Sequence, residues 1–151
     1  MELKDLVGKF ADNAGIERAP SVGGVWKFSA DGNVFGVTGD ESGERVWLFG
    51  EIVIPDPGRK DALVKAAMEA NYFHGGTGGA TFSLNPNNGA LTLFDTRRLD
   101  ALDEAAFYSF VERFVNSLAT WNALAGESGG KIEEPPPATP DEFVARGFMS
   151  V

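Results

Sequence analysis

Residues 63–86 read LVKAAMEANYFHGGTGGATFSLNP, and the rest of the chain is organised around them. The stretch opens inside a helix expected over 61–73, stops abruptly at Gly75, Gly76, Gly78 and Gly79, and resumes as a strand that ends in an Asn/Pro turn. Glycine admits backbone angles that side-chain-bearing residues resist, so the chain can reverse sharply there. Ala66, Ala67 and Ala70 make the helix thin enough for another backbone to approach closely.

Downstream, Asn85-Pro86-Asn87-Asn88-Gly89 is a dense turn signal, and residues 90–95 read as a strand pairing back on 80–84. Phe107, Phe110, Val111, Phe114, Val115, Leu118 and Trp121 then repeat at i, i+3, i+4, which predicts an amphipathic helix over 103–124. Asp100 or Asp103 can cap its first turn. Residues 126–130 break that helix, and Pro135-Pro136-Pro137 continue as an extended linker. The final segment, 141–151, carries Phe143, Val144, Phe148 and Met149 and reads either as a short docking helix or as disorder. The expected division is a folded domain over 1–125 and a Gly/Pro-rich linker and tail over 126–151.

Upstream, Leu3, Leu6, Val7, Phe10 and Ala14 share one face of a helix over 2–14. Two readings stand for that face: core packing, or a surface left open for a partner. Strands follow over 25–29 and 34–38, joined by Asp31-Gly32-Asn33, a short hairpin signal. A third strand over 45–54 is apolar on both sides, with Val46, Leu48 and Ile52 pointing one way and Trp47, Phe49 and Val53 the other. Such a strand belongs in the middle of a sheet with both faces covered. Three helices hardly suffice for that, so a partner is expected to supply part of the cover. The element order α-β-β-β-α-β-β-α predicts an α+β fold: a twisted, five-stranded antiparallel sheet with the helices mainly on one face.

The chain of 151 residues suits one domain with a real core. Its net charge of −9 argues against nucleic acid, which needs clustered Lys and Arg. No cysteine is present, so disulfides, thiolate catalysis and Cys-based zinc sites are excluded. No apolar run reaches the roughly 20 residues that span a bilayer, so membrane insertion is not expected. Charges at Glu2, Lys4 and Asp5 are unlike a signal peptide, which points to the cytoplasm where the chain is made.

Imitations of catalytic motifs fail on context. Gly126-Glu127-Ser128-Gly129-Gly130 fits G-x-S-x-G, but Ser128 follows a helix and no histidine lies downstream of it. His74-Gly75-Gly76 imitates an oxyanion loop, yet the length and the helix before Ser128 are unsuited to a chymotrypsin-like scaffold. The turn at 75–79 lacks the lysine and following helix of a phosphate-binding loop. One histidine, no cysteine and an acidic loop at 40–44 without alternating ligand spacing give no metal site. No catalytic residue, cofactor or metal is expected.

Glu69-Ala70-Asn71-Tyr72-Phe73, then Gly76-Thr77-Gly78-Gly79-Ala80-Thr81, Leu84-Asn85-Pro86 and Gly89 resemble the type III secretion chaperones of the Tir-chaperone (CesT-like, class I) family. The likeness in element order covers roughly residues 1–125, and its specific part is this central run. The resemblance implies a small acidic homodimer that holds an extended segment of a secreted effector before export, without nucleotide. It places Ala66, Ala67, Ala70, Ala80, Phe82 and Leu84 near the subunit interface. The apolar groove expected for the effector runs from Leu6 and Phe10 to Trp26, Phe28, Phe35 and Val37 on the first two strands. Two alternatives stay open: an interaction or regulatory module of the same fold outside secretion, and a small hydrolase using Ser128 and His74.

Overall fold

The computed structural model describes residues 1–127 and 148–150. Its elements are α1 (Leu3–Ala14), β1 (Val25–Ala30), β2 (Asn33–Gly39), β3 (Arg45–Glu51), α2 (Lys60–Ala70), β4 (Thr81–Leu84), β5 (Leu91–Arg98), α3 (Glu104–Gly126) and β6 (Phe148–Ser150). The strands form one antiparallel sheet in the order β4-β5-β3-β2-β1-β6. The expected three helices and five antiparallel strands are therefore present, in the expected order. The sixth strand comes from the C-terminal segment, which the sequence assigned to helix or disorder. Phe143 and Val144 lie outside the described residues.

Side chains sort by strand parity. Phe28, Phe35, Val37, Val46, Leu48, Phe82, Leu91 and Leu93 fall on one face by register and are buried. Against them lies α3, whose stripe of Phe107, Val111, Phe114, Leu118 and Trp121 is as periodic as its sequence requires. Asp103 starts this helix, its carboxylate accepting from the Ala106 N–H at 2.8 Å. At the far end the buried Arg59 donates through Nη1 to the carbonyls of Leu124 and Glu127, a cation at a helix C-terminus. Gly50 allows α3 to come close: a Cβ there would meet Leu118 Cδ2 at 2.8 Å and the Val34 carbonyl at 3.1 Å.

Two boundaries differ from the sequence reading. The third strand ends at Glu51, because the Val53 N–H turns to the Asn122 side chain at 2.9 Å. The second helix ends at Ala70, and Tyr72–His74 form a separate tight turn in which Phe73 and His74 take φ of 50° and 56°. The glycine-rich turn that follows is tied down by α3: Trp121 Nε1 donates to the Gly76 carbonyl at 3.0 Å, and Ser117 Oγ to that of Thr77 at 2.8 Å. Gly78 and Gly79 adopt φ of 65° and 100°, where a side chain is strained.

Candidate functional site

The groove expected from the first helix is closed. Leu6, Phe10, Phe28, Phe35 and Val37 are all buried in the core. Phe10 sits edge-on to Phe28 and Phe107 at centroid distances of 5.5 and 6.1 Å. The α1 stripe thus covers the molecule's own sheet and α3, which corrects the reading of that face as open. Trp26, by contrast, is only half-buried. It borders an apolar cleft of about 410 Å³ beside β1, lined also by Ala19, Pro20, Val22, Val25, Lys27 and Phe28. Val22, missed from sequence, is 82% exposed there.

A similar split affects the expected subunit interface. Ala67, Ala70, Ala80 and Phe82 are buried by the chain's own packing, with Phe82 against Trp121 at 4.7 Å. As isolated positions these four have no surface to offer a second copy. Ala66 is half-buried, and Leu84 is exposed. Sequence reasoning missed their exposed companions Met68, Tyr72 and Phe73. Phe73 is 87% exposed although large and apolar, and its ring stands edge-on to Tyr72 at 4.6 Å. A bulky residue in the left-handed region is strained, and exposed strain of this kind points to use. The signal in the sequence was the Asn-aromatic-aromatic run before the glycines.

The second face of the sheet carries no described helix. Trp47, Phe49 and Phe94 lie on it half-buried, Trp47 and Phe94 with centroids 6.0 Å apart. Phe49 lies over Gly36 on the neighbouring strand, where a Cβ would come within 2.4 Å of its ring. These aromatics cover one another, so the centre of the exposed face is partly self-sheltered. Its charged members are Lys27, Arg45, Glu51 and Arg98, a mostly cationic set on an acidic protein.

Electrostatic perturbations fall in the loop between β2 and β3, near the end of α1, just after β5 and on α3. Asp40 accepts from the Arg45 and Glu44 N–H groups and from the Ser42 hydroxyl, and these bonds hold its carboxyl below the usual range. Arg18 does the same for Asp12, and Arg98 for Asp100. Burial, with Glu112 nearby, pushes the Tyr108 hydroxyl up. Among the described residues no group of three His, Asp or Glu side chains is placed to hold a metal. His74 is exposed and its Nε2 lies 3.2 Å from Thr81 Oγ1. Ser128, the other member of the hydrolase alternative, lies outside the described residues.

The sequence pattern of the Tir chaperone protein (CesT) family matches residues 5–122. The chain belongs to that family. No curated protein matches it by sequence. Among solved structures this CesT-family chain is similar to one described as the HopA1–SchA chaperone–effector complex, at 14% identity and a TM-score of 0.63. That match covers 80% of this chain and 92% of the other. The ExsC–ExsE complex follows at 15% identity and a TM-score of 0.59, covering 83% and 97%. The Yersinia pestis type III secretion chaperone SycH, in complex with a fragment of YscM2, matches at 15% and 0.56, covering 78% and 98%. At these identities the likeness establishes a shared fold. It is a chaperone family, and no helix among the described residues is long and apolar enough to cross a membrane.

Proposed function

We propose that this CesT-family protein is a type III secretion chaperone that holds an extended segment of a secreted effector ready for export. The family match over 5–122 carries the reading. It is supported by structural neighbours, one described as the HopA1–SchA chaperone–effector complex and another as the heterodimeric ExoU–SpcU complex from the type III secretion system of Pseudomonas aeruginosa. Binding draws on burial of apolar side chains, worth roughly 25 cal/mol per Å² before the cost of ordering the segment. The surface available for it is the cleft around Val22 and Trp26, with main-chain pairing at a sheet edge. Work of this kind uses no nucleotide and no catalytic group, and its place is the bacterial cytoplasm.

The protein acts as a homodimer in this reading. Leu84 and Ala66 from the expected interface, with the exposed Met68, Tyr72 and Phe73, are the apolar surface that α2, β4 and the turn between them offer a second copy. Affinity purification of the tagged chain from its native host, followed by mass spectrometry, tests the function. Recovery of a secreted protein, with binding confined to a segment near its N-terminus, is expected. Failure to retain any secreted protein overturns it.

A further inference from the structure

We propose that the outer edge of β1 is a strand-docking surface which the chain's own β6 and a client segment occupy in turn. The proposal deepens the chaperone reading and rests on it for the identity of the second occupant. The edge has two halves. At its start, Val22 and Val25 exchange main-chain hydrogen bonds at 3.0 and 3.2 Å across the Gly23-Gly24 turn. Main-chain groups alternate in direction along an antiparallel strand, so Lys27 and Ser29, like Val25, aim theirs away from β2. A ladder continued from Val22 would set Pro20 opposite Lys27, and proline has no N–H to give. The N-terminal segment therefore cannot close the edge.

At the other half β6 runs antiparallel, with Phe148 opposite Ala30, Met149 opposite Ser29 and Ser150 opposite Phe28. It contributes three residue pairs, against six for β1–β2 and seven for β3–β5. A short strand at a sheet edge opens at the low end of the local stability range. Its covalent tether still gives it an effective concentration of roughly millimolar, so it competes with any segment arriving from solution. The apolar cleft beside Pro20, Val22 and Trp26 begins where that ladder stops, at Phe28. An extended partner longer than β6, in the same register, would make the ladder and also place an apolar side chain next to Trp26. The partner chemistry is thus an extended segment pairing antiparallel to β1, with a large apolar residue beyond the position opposite Phe28. Such a segment outcompetes β6 by the cleft contact.

The test compares the full-length chain with a full-length Met149→Pro variant, which removes the N–H facing Ser29. The probe is a fluorescein-labelled synthetic peptide of residues 141–151. Fluorescence anisotropy is expected to show the peptide binding the variant at least about tenfold more tightly than the wild type. Amide exchange at Ser29 should be faster in the variant and slow again when peptide is added. Deletion of residues 148–151 should behave as the substitution does, and circular dichroism checks that both variants fold. Equal peptide affinity for wild type and variants, or unchanged exchange at Ser29, overturns the proposal and leaves the chaperone reading standing. In the native-host purification both variants should retain more secreted protein than the wild type. Equal retention beside a peptide that prefers the variants shows that the client uses another surface, and overturns the shared edge. If no chain retains a secreted protein while the peptide behaves as expected, the chaperone reading fails and with it the second occupant.

Discussion

Asn71 holds the main chain of Phe82 at both of its polar groups: Oδ1 accepts from the N–H at 2.8 Å, and Nδ2 donates to the carbonyl at 3.1 Å. The side chain imitates a neighbouring strand at the outer edge of β4, where the sheet has no further strand among the described residues. One residue thus ends α2, docks it on the sheet and blunts an edge open to unwanted pairing.

Replacing Asn71 with Ala removes both bonds and leaves the Phe82 main chain bare on one side. A loss of about 1–3 kcal/mol is expected, read by urea unfolding, with a greater tendency to aggregate. Asn71→Asp keeps the acceptor and should fall between the two. An Ala variant as stable as wild type would show that water replaces the side chain without cost.

The turn at 75–79 separates two kinds of strain. Gly79 has φ of 100° and open space around it, so Gly79→Val costs conformational energy alone, about 1–3 kcal/mol. Gly78 has φ of 65°, and a Cβ there meets Ser117 Oγ at 2.7 Å, the hydroxyl that holds the Thr77 carbonyl. Gly78→Val should therefore be the more damaging. Thermal melts that rank them the other way would contradict the assigned geometry.

Core and surface part company at Phe10 and Trp26. Phe10→Asp buries a charge among aromatic rings and should cost about 4 kcal/mol or more, abolishing the folded circular dichroism signal. Trp26→Ala should leave a folded protein that retains its client poorly in a pull-down. A folded Phe10→Asp protein would reopen the first helix as a binding face.

Phe73 offers a test of the dimer with little risk to the fold. Asn tolerates the left-handed region better than Phe does, so Phe73→Asn keeps the turn and deletes the exposed ring. Sedimentation at micromolar concentration should show a dimer for the wild type and a shift towards monomer for the variant. A monomeric wild type removes the dimer altogether.

Acid should loosen the loop between β2 and β3 late. Asp40 is held below the usual carboxylate range chiefly by the Arg45 N–H, so its contribution is present above the ordinary carboxylate value. It is lost as pH falls through the lowered value. The amide resonances of Glu44 and Arg45 should titrate at that lower pH, and Asp40→Asn should remove the transition. Titration at the ordinary carboxylate pH would show the loop to be open in solution.

Much of this architecture is legible in the chain alone. The spacing of Phe107, Val111, Phe114, Leu118 and Trp121 demands a long amphipathic helix, and the glycine and Asn/Pro clusters punctuate the strands. These signals are local, set by the period of an element and the backbone angles a residue tolerates. The doubly apolar third strand even announced its central place in the sheet. Burial is not local. Phe10 and Phe73 are both aromatic residues on or next to a helix, yet one is 2% and the other 87% exposed. What decides between them is where α1 and α3 meet the sheet and where a strained turn throws a ring outward. The pairing of Met149 with Ser29 was likewise invisible, because it joins positions far apart in sequence through main-chain groups common to every residue. Sequence determined which residues are apolar and in what rhythm, while only the tertiary structure decided which of them the molecule uses on itself.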